Sequence, residues 1–269
     1  MGINKSKEEL REHKDAAIKK LDFVLESIIN SNNPSKADKL CYWIKTYANF
    51  INYEQRFDPK KLRRYKRGEI IKIDLGFRVG SEEGGLHYAI VLDKDNNLSS
   101  PTLTVIPLTS HKKTKEPYQF RDSEVFLGNE LFNSLNLKLS EEKRLSEYKT
   151  KTLLENLALF ETSLEKVSSQ ISFEKIDGIF KDEIVKMQNK LDEVKKHDIL
   201  ISKIEREIGR MKLGSIALIN QITTISKIRV YDPKTNDDVL SRVKLSNDKL
   251  NLIDDCVKKL FTNIDKTIK

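Results

Sequence analysis

Apolar residues recur at three- and four-residue steps through residues 5–30, and Ala17, Leu21, Val24 and Ile28 mark one face of a predicted helix. Ser31 to Pro34 break the pattern. A second helix is predicted from Ser35, with Leu40, Trp43, Ile44, Ala48 and Ile51 on its buried face, until Phe57, Asp58 and Pro59 end it. The period changes after Tyr65. Residues 68–75 read as a strand filled by Ile70, Ile71, Ile73 and Leu75, and residues 76–85 form a glycine-rich loop. Residues 88–92 and 103–108 read as two further strands around a polar turn at 93–100, and residues 118–126 offer a fourth.

Residues 140–211 are helical in pattern. One seam runs through Leu153, Leu157, Phe160, Leu164 and Val167, and a second through Phe180, Ile184, Met187, Leu191 and Val194. The polar link 168–172 between them predicts an antiparallel helical hairpin. Residues 215–228 return to β-branched density, and residues 247–268 are amphipathic through Leu250, Ile253, Val257, Leu260 and Phe261. Too few strands lie on either side of the hairpin to make independent sheets, so one β-barrel interrupted by the hairpin is the expected architecture. The predicted organisation is a helical hairpin at 1–60, a barrel with a terminal helix built from 65–127 and 213–269, and a coiled-coil-like insertion at 139–211.

Composition narrows the class. Cys41 and Cys256 match no metal-ligand spacing and read as reduced, buried thiols. No apolar run approaches the roughly 20 residues that span a bilayer, and the charged N-terminus is unlike a signal peptide, so a cytoplasmic protein is expected. The formal net charge of +8 makes a polyanion the natural partner to test. Solvated lysine-rich helix faces give the same excess without function. Lys60, Lys61, Arg63, Arg64, Lys66 and Arg67 concentrate basic charge just before the first strand.

The segment 65–110 resembles the PemK/MazF family of bacterial toxins. Arg67-Gly68-Glu69-Ile70-Ile71 is similar to the family's opening strand, Gly80-Ser81-Glu82-Glu83-Gly84-Gly85 to its loop, and Ala89-Ile90-Val91-Leu92 to the strand after it. Thr104 to Ser110 resembles the strand that ends in a threonine, residues 214–225 the last strand pair, and residues 245–250 the start of the terminal helix. The resemblance implies an α+β fold with a small SH3-like barrel. It also implies a homodimer, a cognate antitoxin and single-stranded RNA cut without a cofactor or metal. His87-Tyr88 stands where family ribonucleases have Arg-Pro.

Family ribonucleases turn the ribose 2′-hydroxyl on the adjacent phosphate, which needs proton transfer and donors around the phosphoryl group. An imidazole exchanges protons near neutrality and a guanidinium does not, so His87 is compatible with that chemistry. Thr109 matches the family's catalytic threonine, and its hydroxyl would hold a phosphate oxygen. By proximity in sequence, Glu82 or Glu83 would orient His87, and Arg78 and Lys112 would neutralise the phosphate. Ser81, Gly84, Gly85 and Ser110 complete the expected RNA contacts. His111 competes with His87, while His13 and His197 read as solvent-facing and Trp43 as a core residue. Two other classes stay open: a non-catalytic toxin that binds a protein such as gyrase, as the related CcdB toxins do, and an RNA-binding module without turnover.

Overall fold

The computed structural model describes residues 5–111, 119–168 and 173–263. The chain divides into two compact units. One holds the residues up to 57 together with 75–85, and the other holds 58–74 and the residues from 86 onward.

In the first unit, Ser6 opens α1 (Lys7–Ile29) with a capping box. The Glu9 backbone N–H donates to Ser6 Oγ at 3.1 Å, and the Ser6 N–H donates to the Glu9 carboxylate at 2.6 Å. Pro34 precedes α2 (Ser35–Glu54). The apolar stripes are less buried than their spacing predicts. No α1 residue is buried, Ala17 and Val24 are exposed, and in α2 only Ala37 and Leu40 are buried while Ala48 and Ile51 lie in solvent. Two paired helices share a single line of contact, so most of each stripe has nothing to pack on. Trp43 and Ile44 are half-buried, and the indole stacks on Tyr47 with centroids 5.1 Å apart.

The second unit is the barrel. Gly68 takes a φ of 80°, and Leu250 and Lys244 side chains crowd the place a Cβ would occupy. β1 (Ile70–Asp74) follows, then β2 (Leu86–Val91), β3 (Thr102–Ser110) and β4 (Glu124–Gly128). After two helices come β5 (Ser215–Leu218), β6 (Thr223–Ser226) and β7 (Val230–Asp232). The described strands join in one coiled sheet in the order β4-β5-β3-β2-β1-β7, with β6 also on β3. Alternation places Ile70, Ile90, Ile106 and Leu108 in the main core, while Ile71, Ile73, Ala89 and Val105 on the opposite face are equally buried. The strand pattern therefore reads as continuous apolar runs, which hid the short β7 beside the charged residues that follow it.

α3 (Glu130–Ser168) starts ten residues before the expected hairpin. Its first turns bury Leu131 and Leu135 in the barrel core, and Lys138 Nζ donates to the carbonyls of Asp238, Val239 and Ser241 at 2.9 Å each. α4 (Phe173–Arg210) returns and adds Ile204 to the same core. Farther out, the seams are thinly covered. Leu153 and Val194 are buried, yet Leu157, Ile184 and Leu191 remain 38%, 51% and 40% exposed, and Val167 and Phe180 lie outside the described side chains. Polar links join the helices: Ser146 donates to Asp198 at 2.8 Å, and His197 meets Glu142 at 2.8 Å. His197 is thus an inter-helix partner and not the solvent-facing residue its position in the pattern predicts. α5 (Asn247–Phe261) closes the unit, capped by Ser246. No helix among the described residues is long and apolar enough to cross a membrane.

In the basic run before β1, the three arginines are paired while Lys60, Lys61 and Lys66 are exposed. Arg63 makes a bidentate pair with Glu69 at 2.8 and 3.1 Å, Arg64 pairs with Asp95, and Arg67 pairs with Asp254 and donates to the Leu92 carbonyl. Arg63 and Glu69 side chains are 9% and 8% exposed, so removing one partner strands a buried charge. Arg63→Met is expected to cost about 3 kcal/mol in denaturant unfolding. Adding Glu69→Leu should restore only part of it, because the Lys66 N–H loses the Glu69 acceptor.

Candidate functional site

β2 and β3 run antiparallel, with Ala89 opposite Pro107 and Ile90 opposite Ile106. His87 lies two residues outside this ladder, where its ring reaches the last residues of β3. The imidazole is tied there: His87 Nδ1 lies 3.1 Å from the carbonyl oxygen of Leu108, the residue before Thr109. A carbonyl only accepts, so Nδ1 carries a proton and Nε2 is the basic nitrogen of the neutral ring. His87, Thr109 and Ser110 are all half-buried, and Ser110 pairs across the sheet with the buried Ser215. This hydrogen bond sets His87 beside the end of β3 that carries Thr109 and Ser110. Lys112 lies outside the described residues.

The loop between β1 and β2 belongs to the first unit. Its neck is closed by two backbone hydrogen bonds, from Leu75 N–H to Gly85 O at 2.8 Å and from Gly85 N–H to Gly76 O at 2.7 Å. Gly84 is confined by this closure, since a Cβ there would stand 2.8 Å from Gly76 O. Arg78 is half-buried; its Nε donates to Leu75 O at 3.2 Å and its guanidinium lies 3.9 Å from the Glu82 carboxylate. Ser81, Glu82 and Gly85 are exposed. The loop thus brings Arg78 and Glu82 together.

Beside His87, Tyr88 enters a network that sequence reasoning missed. The Tyr88 hydroxyl donates to Glu207 of α4, Lys72 of β1 donates to the same carboxylate oxygen, and the ammonium sits 5.2 Å from the Tyr88 ring centre. Burial first, and then the bond to Glu207, push the Tyr88 phenol well above its ordinary range. Burial alone would raise the Glu207 carboxyl, but the hydrogen bonds from Lys72 and Tyr88 outweigh it and hold the group below its usual value. Tyr88 in place of a proline was the available signal; its partner lies too far along the chain to be read from spacing. His111 is packed in an aromatic cluster, 5.5 Å from Phe126 and 6.0 Å from Phe120 between ring centres. Cys41 and Cys256 are free thiols, half-buried where full burial was expected, and Cys256 Sγ lies 3.3 Å from Asp122 O.

Residues 66–172 match the family of PemK-like, MazF-like toxins of type II toxin–antitoxin systems, a span that takes in β1 to β4 and α3. This core of the chain is thus similar to the PemK/MazF toxins. No curated protein matches the chain.

Glu207 titrates lower in the folded protein than in the unfolded chain. Its contribution to stability is therefore present above the ordinary carboxylate pKa and is lost as pH falls through the depressed value. Glu207→Gln is expected to melt below wild type at neutral pH. The gap should close between about pH 5 and pH 3, as read by thermal unfolding across that range.

Proposed function

We propose that the chain is an endoribonuclease toxin that cuts single-stranded RNA without a metal and so arrests translation and growth. The match of residues 66–172 to a family of toxins supports the class. The observation that carries the chemistry is the hydrogen bond from His87 Nδ1 to the Leu108 carbonyl, one residue before Thr109. A neutral imidazole held in this tautomer has Nε2 as its base.

In the proposed reaction Nε2 takes the proton of a ribose 2′-hydroxyl. The 2′-oxygen then forms a bond to the neighbouring phosphorus as the bond to the 5′-oxygen breaks, and the leaving oxygen takes a proton from water. The products are a 2′,3′-cyclic phosphate and a 5′-hydroxyl. Thr109 and Ser110 donate hydrogen bonds to the phosphoryl oxygens as their charge builds. Arg78 supplies positive charge from the loop. Ser81, Gly84 and Gly85 contribute contacts along the RNA, and Glu82 keeps Arg78 oriented. A cognate antitoxin, a homodimer and a cytoplasmic setting belong to the same reading.

Purified protein incubated with a long unstructured RNA in EDTA is expected to give discrete fragments ending in cyclic or 3′-phosphate. His87→Ala should lower the cleavage rate by about 10²- to 10⁴-fold. Unchanged cutting by His87→Ala would reject the assignment of the base. RNA that stays intact with wild type in growth-arrested cells would move the protein to the class that binds a protein target, and tight RNA binding without turnover would make it a binding module.

A further inference from the structure

The loop that carries Arg78, Ser81 and Glu82 shares a compact unit with α1 and α2, and one side chain joins it to the helices. A Cβ built on Gly76 would stand 2.3 Å from Trp43 Nε1 and 3.2 Å from Cδ1 and Cε2. The indole therefore lies directly on the Gly76 backbone, a buried position whose φ of 76° already favours glycine. Trp43 is braced from behind by Tyr47, one helical turn along α2, with the rings nearly parallel at 11°.

Gly76 is also a structural member of the loop's neck. Its carbonyl accepts from Gly85 N–H at 2.7 Å, and its neighbour Leu75 donates to Gly85 O at 2.8 Å and accepts from Arg78 Nε at 3.2 Å. Whatever fixes Gly76 fixes both sides of the neck and the root of the Arg78 side chain. The helices that hold Trp43 bury few residues themselves, Ala37 and Leu40 in α2 and none in α1. Elements with so little buried surface open at low free energy, so the indole transmits the state of the helical hairpin to the loop.

We infer that Trp43 is a positioning residue: through Gly76 it couples the N-terminal helical hairpin to the loop that bears Arg78 and Glu82. The coupling is a property of the first unit alone. Its effect on turnover rests on the ribonuclease reading, and the two are tested by different measurements.

The chain has one tryptophan, so its emission reports this contact. Gly76→Ala attacks the contact from the loop side and leaves both helices unaltered in sequence. It is expected to shift Trp43 emission to the red and to speed hydrogen exchange at Leu75 and Gly85 by about tenfold or more, with β3 amides unchanged. Trp43→Ala should give the same exchange pattern, and Trp43→Phe should restore most of the protection. Unchanged emission in Gly76→Ala overturns the inference, as does undiminished loop protection in a Trp43→Ala protein whose β3 amides remain protected.

On an unstructured RNA substrate, Gly76→Ala and Trp43→Ala are expected to lower kcat/KM by about ten- to a hundredfold. The pH of half-maximal activity should not move. A shift of that pH would contradict a positioning role. Wild-type protein that cuts no RNA, with the exchange changes present, would keep the coupling and reject the ribonuclease reading.

Discussion

β3 is the strand on which the barrel depends, because it pairs with three others along nine residues. Residues 102–105 bond to β6, 105–107 to β2 and 108–110 to β5. A strand serving three partners has to twist and bend between them, and the sheet coils around it. That coiling buries residues on both faces of the sheet, among them Ile70 and Ile71 of β1 and Ala89 and Ile90 of β2. It also ends the ladder with β2 at Pro107, a residue with no N–H to give. The next carbonyl, that of Leu108, accepts from the His87 ring. The geometry that orients the imidazole is thus a by-product of how the strand changes partners.

Much of this was legible in the sequence. The helices of the N-terminal hairpin, the first three strands, the helical insertion and the terminal helix all appear where periodicity predicts them, because each is long or bounded by a strong breaker. Failures cluster where one pattern serves two purposes. Residues 130–139 join the hairpin in helical period but the barrel in what they bury, so the start of α3 was missed. β7 is three residues long and offers almost no period. At the candidate site, His87, Thr109 and Ser110 were named through family resemblance, and the His87 ring bonds to the residue before Thr109. The Tyr88–Glu207–Lys72 network was not found, since it joins residues more than a hundred positions apart.

Charge was a partial guide, since Lys60, Lys61 and Lys66 are exposed. The basic run from Lys60 to Arg67 reads as a nucleic-acid patch, yet each of its three arginines has a carboxylate partner within the barrel. The Arg67-Gly68-Glu69 opening is accordingly a structural device. Gly68 provides the left-handed turn under Leu250, Arg67 ties β2 to α5, and Glu69 fixes the chain that precedes β1. A sequence counts cations but not the anions folded against them, and the distinction decides how much of the +8 is offered to a partner.

The long hairpin is rooted in the core and merely extends away from it. Leu131 and Leu135 at the start of α3 and Ile204 near the end of α4 are fully part of the barrel, while the outer turns hold together through a sparse seam and a few polar links. An appendage of this kind can be trimmed or prolonged by matched helical turns at its tip without altering what the barrel packs against. The packing that fixes the fold therefore sits at the roots of the hairpin and not along its length.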